Sequence, residues 1–205
     1  MNYLGHAFCS TYDTLLGNMA GDSMRGVDIA GLPRSIRDGL DLHFLIDRLT
    51  DTHPSFIPVT RLFSSRNLPY AGVLADIAAD YVFASKWEEY SSVDWYSFKE
   101  EVYSRLLEGK DSVPGSFRYS AYWLVREDWF ESYRTFRGME TAFYRLSRKT
   151  RREVDPAAAR GVIEENEEAI SSFAKGVLSS ILSNGEMKSR LPRLISKPCI
   201  SVFTS

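Results

Sequence analysis

Charged and imidazole side chains interrupt the apolar face of a predicted helix in this chain. Residues 32–51 have the periodicity of an amphipathic helix, in which successive side chains lie about 100° apart. The side predicted to face solvent carries Arg34, Arg37, Asp38, Asp41 and Arg48. The opposite side is predicted to face the core and carries Ile36, Leu40, Leu42, Phe44, Ile46 and Leu49. His43, Asp47 and Asp51 lie on that same side, one turn apart from each other.

A second predicted helix, over residues 70–87, shows the same anomaly. Asp76 and Asp80 lie in the middle of its apolar stripe, which consists of Val73, Ile77, Phe83, Ala84 and Trp87. Two like charges one turn apart repel even on an exposed helix, and burying them without partners would cost several kcal/mol each. A divalent cation, a set of buried partners or a protonated carboxyl must therefore offset their burial.

The composition indicates a globular domain. The chain has 205 residues, a net charge of −2 and 44% hydrophobic residues, enough for one domain with a substantial core. The small net charge argues against binding to nucleic acid, and no apolar run approaches the roughly 20 residues of a membrane span. The first residues lack the basic and long apolar regions of a signal peptide. Cys9 and Cys199 are too few for a disulfide framework. We therefore expect a cytoplasmic protein.

Helical periodicity dominates, and alternating strand patterns are scarce. We expect an all-α, single-domain bundle over residues 1–185 and a loosely ordered tail over residues 186–205. Gly17, Ala20 and Gly21 belong to the first long helix and would let another backbone come close. Asp94 and Asp155 are predicted N-caps. Further helices are predicted near residues 11–24, 94–108, 138–151 and 155–183, with an aromatic-rich segment at 117–136.

Imidazole and carboxylate groups concentrate in the first 80 residues. The chain's three histidines, His6, His43 and His53, accompany Asp22, Asp47, Asp51, Asp76 and Asp80. This combination suits Mn²⁺, Fe²⁺, Zn²⁺ or Mg²⁺, and such a cation would polarise a phosphoryl oxygen. None of the motifs H-E-x-x-H, the P-loop or G-x-S-x-G occurs. The structural alternative is a hydrogen-bonded core histidine, an Asp47–arginine pair, and Asp22 and Asp51 as helix caps.

Several motifs resemble those of the acyl carrier protein phosphodiesterase family. They are Asn2-x-Leu4-x-His6, Leu16-Gly17-Asn18-x-x-x-Asp22, Gly39-x-x-x-His43-x-x-Ile46-Asp47-x-x-Thr50-Asp51-x-His53-Pro54, Asp76-x-x-x-Asp80 before Trp87, Asp128-Trp129-x-x-x-Tyr133, Gly138, and Arg145-Leu146-Ser147-Arg148. The similarity spans about residues 1–152.

The resemblance implies an all-α metal phosphohydrolase related to HD-domain enzymes. Its named activity is hydrolysis of the phosphodiester that joins 4′-phosphopantetheine to a serine of holo acyl carrier protein, with Mn²⁺ preferred. On this pattern, the metal ligands or their direct neighbours would be His6, Asp22, His43 and Asp80. Asp47, Asp51 and Asp76 would orient the histidines or the attacking water, and an aspartate, Asp22 among the candidates, would take the water proton.

Two positions depart from the family pattern. Family members often have a histidine where this chain has Tyr81, and a basic residue where it has Phe44. The first change removes a ligand or an acid, and the second removes a phosphate contact. Tyr81 would either donate a hydrogen bond to a substrate oxygen or pack in the core.

A basic cluster is the candidate surface for an acidic carrier protein. It consists of Arg145, Arg148, Lys149, Arg151 and Arg152, and complementary charge would steer docking. The alternative is a solvated helix end, where cations are favoured by the helix dipole. Similarly, the aromatic residues of the 117–136 segment form either core or a groove for pantetheine; they are Tyr119, Tyr122, Trp123, Trp129, Phe130, Tyr133 and Phe136.

Three functions remain open on the sequence. The first is the carrier-protein phosphodiesterase. The second is an HD-like hydrolase of another small phosphoester or nucleotide that uses the same metal site. The third is a helical protein without catalytic activity that binds a carrier-like partner.

Overall fold

The computed structural model describes residues 2–199 and Phe203, without the side chain of Lys149. Over these residues the predicted all-α class is confirmed, and extended pairing is limited to two isolated bridges, Thr11 with Leu194 and Ser91 with Pro198. The α-helices of the described part are α1 Tyr3–Phe8, α2 Leu15–Ala20, α3 Arg34–Asp51, α4 Phe56–Ser64, α5 Ala71–Ser85, α6 Trp87–Tyr90, α7 Trp95–Glu108, α8 Gly115–Arg126, α9 Trp129–Ser132, α10 Phe136–Lys149, α11 Pro156–Glu165, α12 Glu167–Ser183 and α13 Gly185–Lys188.

Helices α2 and α3 meet backbone to backbone. A Cβ added at Gly17 would lie 2.0 Å from the carbonyl oxygen of Ile36, and one added at Gly39 would lie 2.4 Å from the carbonyl oxygen of Thr14. The predicted close approach of another backbone is therefore confirmed at Gly17, whereas Gly21 lies against the His43 side chain. Helix α2 begins later than predicted because the hydroxyls of Thr11 and Thr14 bind each other's backbone N–H groups in a turn before it.

Helix α5 is the centre of the bundle. It packs against α1, α4, α10 and α12, and its residues from Ile77 to Ala84 are all buried. Val73, which the sequence places in the apolar stripe, is 44% exposed because it lies in the first turn of α5. None of the helices in the described part of the chain is both long and apolar enough to cross a bilayer.

The predicted helix over residues 155–183 is two helices. Asp155 caps α11 as expected, accepting hydrogen bonds from the N–H groups of Ala157 and Ala158. Asn166 separates α11 from α12, and its side-chain amide donates to the carbonyl of Val162 at 2.8 Å. This local hydrogen bond competes with the helical ladder and allows the chain to turn.

The segment after α13 differs from the loose tail expected over residues 186–205. Leu194, Ile195 and Ser196 are buried. The N–H of Ile195 donates to the carbonyl of Ser10 at 3.0 Å, and the hydroxyl of Ser196 donates to the carbonyl of Phe8 at 2.7 Å. The described part of this segment therefore packs on the turn after α1 and belongs to the same core as the helices.

Candidate metal centre

Two histidines converge on one carboxylate where α1 and α3 meet. The Nε2 atom of His6 lies 3.2 Å from Oδ1 of Asp47, and the Nε2 atom of His43 lies 3.0 Å from Oδ2 of Asp47. The two rings stack, with centroids 4.4 Å apart and planes at 20°. Both histidines are buried, whereas Asp47 is half-buried. One potential ligand atom from each residue lies within 4.8 Å of the other two, a spacing in which a metal ion could be held.

Asn18 orients both imidazoles. Its side-chain oxygen lies 2.8 Å from Nδ1 of His6, and its backbone oxygen lies 2.9 Å from Nδ1 of His43. The amide orientation follows from the network, because the Asn18 Nδ2 group donates to the carbonyl of His6 at 2.9 Å. Both Nδ1 atoms therefore carry a hydrogen and donate to oxygen acceptors. This leaves both Nε2 atoms directed at Asp47.

The protonation of the two rings differs. Burial lowers the pKa of His43, but hydrogen bonds to Asp22 and Asp47 outweigh it and raise that pKa to about 9. Burial lowers the pKa of His6, with a smaller contribution from the charge of His43, despite the contact with Asp47. Burial alone would raise the pKa of Asp47, but its contacts with the two histidines, above all the hydrogen bond from His43, hold it well below its usual range.

The donor set fits a divalent cation. A neutral His6 turns the lone pair of Nε2 toward Oδ1 of Asp47, so two acceptors face each other at 3.2 Å. A cation shared by these atoms would remove this repulsion, and it would replace the proton on His43. Two imidazole nitrogens with a carboxylate are common ligands of Mn²⁺, Fe²⁺ and Zn²⁺.

Asp22 lies at the solvent side of this cluster. It belongs to the 3-10 turn Gly21–Ser23, and its Oδ1 atom is 3.6 Å from Nε2 of His43. Its side chain is 88% exposed, and the interaction with His43 lowers the pKa of its carboxyl. Gly21 makes the approach possible, since a Cβ there would lie 2.2 Å from the His43 ring.

Asp80 has a different position from the one predicted. It is fully buried, and its two oxygens accept hydrogen bonds from the N–H groups of Leu4 at 2.9 Å and Gly5 at 3.2 Å. These are free N–H groups of the first turn of α1, where a carboxylate is favoured. The sequence predicted Asp80 as a metal ligand or a direct neighbour of one, and in the structure its carboxyl group holds the helix that carries His6.

Among the described residues, no hydrogen bond joins Asp51 or Asp76 to His6, His43 or Asp47. Asp51 is exposed at the last residue of α3, so the inward row predicted for this helix ends at Asp47. Asp76 lies one turn before Asp80, where burial, together with the charges of Asp51 and Asp47, raises the pKa of its carboxyl.

The two departures from the family pattern lie in different surroundings. Tyr81 is buried and packs against Phe136, with ring centroids 4.7 Å apart, so it belongs to the core. Phe44 was expected on the core side of α3 but is 54% exposed, with its ring 5.7 Å from that of His43. The position that is often basic in the family is therefore on the surface beside the cluster.

The predicted basic cluster is only partly available to a partner. Arg145 pairs with Glu127 at 2.6 Å and stacks over Trp129 at 4.5 Å. Arg148, Arg151 and Arg152 are exposed, and the side chain of Lys149 lies outside the described residues. The aromatic set divides in a similar way. Its core members are Trp129, Phe130 and Tyr133, its exposed members are Tyr119 and Tyr122, and Trp123 and Phe136 are half-buried.

Asn18 was not assigned a role from the sequence. It occurs in the motif Leu16-Gly17-Asn18-x-x-x-Asp22, but a lone asparagine carries no metal-binding signal. A buried asparagine in a helix interior is itself unusual, because its amide needs several hydrogen bonds. That signal could have marked Asn18 as a residue that supports the histidines.

The fold and the site together define an all-α protein with a His/His/Asp group that could hold a metal ion. The model of the acyl carrier protein phosphodiesterase family matches residues 1–179. The chain belongs to the acyl carrier protein phosphodiesterase family.

Individual relatives carry the same description. The acyl carrier protein phosphodiesterase of Photorhabdus laumondii is 30% identical over 138 residues, which cover 65% of this chain and 69% of the relative. That of Serratia proteamaculans is 26% identical over 136 residues, 65% of this chain and 70% of the relative. That of Pectobacterium atrosepticum is 25% identical over 150 residues, 72% of this chain and 78% of the relative. No solved structure matches the chain.

Proposed function

We propose that this chain is a metal-dependent phosphodiesterase that releases 4′-phosphopantetheine from holo acyl carrier protein. The observation that carries the proposal is the convergence of two imidazole Nε2 atoms on Asp47, with both tautomers determined by Asn18. The family match over residues 1–179 supplies the substrate class.

His6, His43 and Asp47 would hold the cation, and Asp22 is close enough to join them. The bound cation would polarise the phosphoryl oxygens and favour ionisation of water. We favour Mn²⁺ because the set mixes imidazole with carboxylate and contains no thiolate. Asp80 contributes by holding α1, and therefore His6, against α5.

The reaction would proceed by addition of water to phosphorus and cleavage of the bond between phosphorus and the serine oxygen of the carrier. The serine oxygen takes a proton, and 4′-phosphopantetheine leaves. Asp22 is suited to accept the proton of the water, since its carboxyl is ionised, exposed and next to His43. Asp47 orients the two histidines through its contacts with both Nε2 atoms.

The remaining assignments rest on the proposed activity. The exposed arginines at positions 148, 151 and 152 would attract an acidic carrier protein. A cytoplasmic location and a relationship to HD-domain hydrolases remain predictions from the sequence. We assign no direct role to Asp51, which is exposed at the end of α3.

The decisive experiment is to incubate the purified protein with holo acyl carrier protein and Mn²⁺ and to weigh both products by mass spectrometry. We expect apo carrier protein and free 4′-phosphopantetheine, and no product when a chelator is added or when His43 is replaced by Ala. Cleavage of small phosphoesters with an intact holo carrier would instead favour the second function considered above. Binding of the carrier without cleavage, and without metal in the protein, would favour the third.

A further inference from the structure

A groove lined by aromatic rings lies between α8 and α10. Its volume is about 460 Å³, and its walls include Tyr119, Trp123, Trp129 and Tyr144. Tyr119 and Tyr144 are 68% and 60% exposed. Volumes of this size are typical of small-molecule sites, and the clustering of rings at the surface is not explained by core packing.

This groove adjoins the candidate metal centre through a second cavity. The second cavity has a volume of about 190 Å³, shares Trp129 and Arg145 with the groove, and is also lined by Tyr3 and Asp22. Asp22 lies 3.6 Å from Nε2 of His43. A molecule with one end at the metal centre could therefore extend past Tyr3 and Trp129 into the groove.

The chemistry of the walls favours an uncharged chain with amide groups. Of the charged residues that line the groove, Arg145 and Glu127 pair at 2.6 Å and Arg145 stacks on Trp129, so these two offer little free charge to an anion. The third, Arg148, is exposed. The hydroxyls of Ser120 and Thr141 also line the groove.

We propose that this groove holds the pantetheine arm of the substrate while its phosphodiester lies at the His6–His43–Asp47 cluster. Pantetheine is uncharged and combines a branched apolar carbon with two amides and a thiol. The aromatic walls bury the apolar carbon, and the hydroxyl oxygens of Ser120 and Thr141 accept hydrogen bonds from the amides. This inference rests on the proposed function for the identity of the ligand, and it assigns the surface that binds the pantetheine arm.

The first test is binding of pantetheine without its phosphate, measured by ligand-observed NMR on the full chain without metal. We expect the double variant Tyr119→Ala, Tyr144→Ala to weaken binding about tenfold, a typical loss for aromatic contacts in a binding site. The matched control is Tyr96→Ala, because Tyr96 is 66% exposed on α7 and lines neither cavity. Absence of binding to the wild-type chain, or equal binding to the double variant, would overturn the proposal.

The second test separates the arm from the carrier protein. Apo carrier protein, which lacks the arm, should not displace pantetheine, whereas 4′-phosphopantetheine should. Displacement by apo carrier that is lost in the double variant would assign the groove to the protein body and contradict the proposal.

A kinetic measurement distinguishes failure of the groove from failure of the function. If the wild-type chain cleaves the holo carrier, the ratio of kcat/KM for the carrier to that for bis(p-nitrophenyl) phosphate should fall about tenfold in the double variant. It should be unchanged in Tyr96→Ala, and an unchanged ratio in the double variant would overturn the groove. If the wild-type chain cleaves no carrier, the proposed function fails, while the pantetheine titration still decides whether the groove binds the arm.

Discussion

Asn18 determines which nitrogen of each histidine is available at the candidate metal centre. A neutral imidazole has one N–H, and Asn18 draws it to Nδ1 in both His6 and His43. The Nε2 atoms of both rings are then directed at the same carboxylate. A side chain that touches neither substrate nor cation can in this way set the affinity of the site.

Substitution of His43 or Asn18 should therefore weaken metal binding to different degrees. His43→Ala removes a ligand and should abolish binding of Mn²⁺ at neutral pH. Asn18→Ala releases His6 but keeps the backbone oxygen that holds His43, so we expect a loss of about 10–100-fold. Isothermal titration of the purified chains with Mn²⁺ measures both effects.

His53→Ala is the control for this experiment. His53 lies outside the cluster, packing against Phe173 and accepting a hydrogen bond from the N–H of Ser55. Its replacement should leave the affinity for Mn²⁺ unchanged. An unaltered metal stoichiometry in His43→Ala would contradict the assignment of the site.

Part of this site could be predicted at the level of single residues. The pairing of His43 with Asp47 follows from their separation of one helical turn. The pairing of His6 with Asp47 does not, because it depends on how α1 packs against α3. The position of Asp80 was not predictable either. A buried aspartate in a helical sequence is compatible both with a metal site and with binding to the N-terminus of another helix, and only the packing of α1 against α5 distinguishes the two.

At the level of secondary structure, Asp80 connects two helices that are far apart in sequence. Its carboxylate accepts hydrogen bonds from the first turn of α1 while its backbone belongs to α5. Burial raises the pKa of this carboxyl to about 7, above the value of about 3.9 in an unfolded chain.

This raised pKa predicts how stability depends on pH. Between about pH 4 and pH 7 the folded protein keeps a proton on Asp80 that the unfolded chain has lost. The contribution of the group is therefore full below pH 4 and is lost as the pH rises through 7. Asp80→Asn cannot titrate, so its stability relative to the wild type should improve over this range by roughly 4 kcal/mol.

Urea unfolding of both chains in the presence of a chelator, at several pH values, measures this difference. At pH 4 the variant should be the less stable of the two, because the amide nitrogen cannot accept a hydrogen bond from α1. A difference between the chains that does not vary with pH would show that Asp80 does not titrate in this range.

Helix boundaries were predicted well where a cap was present in the sequence and poorly where side chains competed with the backbone. Asp94 caps α7 through the N–H of Ser97 at 3.0 Å, as expected. In contrast, Asn166 divides a segment whose apolar periodicity continues, and its side-chain hydrogen bond to Val162 accompanies the break. Such competition depends on the final geometry and has no periodic signature.

At the level of the whole molecule, the segment after α13 closes one side of the core. Leu194 is 1% exposed and pairs with Thr11 in an isolated bridge. We expect Leu194→Ala to lower the free energy of unfolding by about 2–4 kcal/mol, as for other buried leucines. Arg193→Ala, one residue earlier and exposed, should change it by less than about 0.5 kcal/mol. If chemical denaturation shows equally small changes in the free energy of unfolding for both variants, the segment after α13 is loosely ordered, as the sequence predicted.

Charge on the molecular surface should control encounter with an acidic carrier protein. Reversal of the exposed Arg151 and Arg152 to Glu should raise KM for the carrier several-fold at low salt, and the effect should shrink as salt screens it. The control reverses Lys175 and Lys188, which are exposed on α12 and α13 and change the net charge equally. If both pairs alter KM alike, the docking face is not the end of α10.

The short length of α1 has a consequence for how the protein responds to metal. A helix of six residues does not form in isolation, so α1 depends on its contacts with Asp80 and the core. Because His6 lies in α1, a cation bound at His6 stabilises the whole helix. Amide hydrogen exchange at Leu4 and Gly5 should therefore slow when Mn²⁺ is added, although neither amide touches the cation. Binding of the metal ion and folding of α1 would then be thermodynamically coupled.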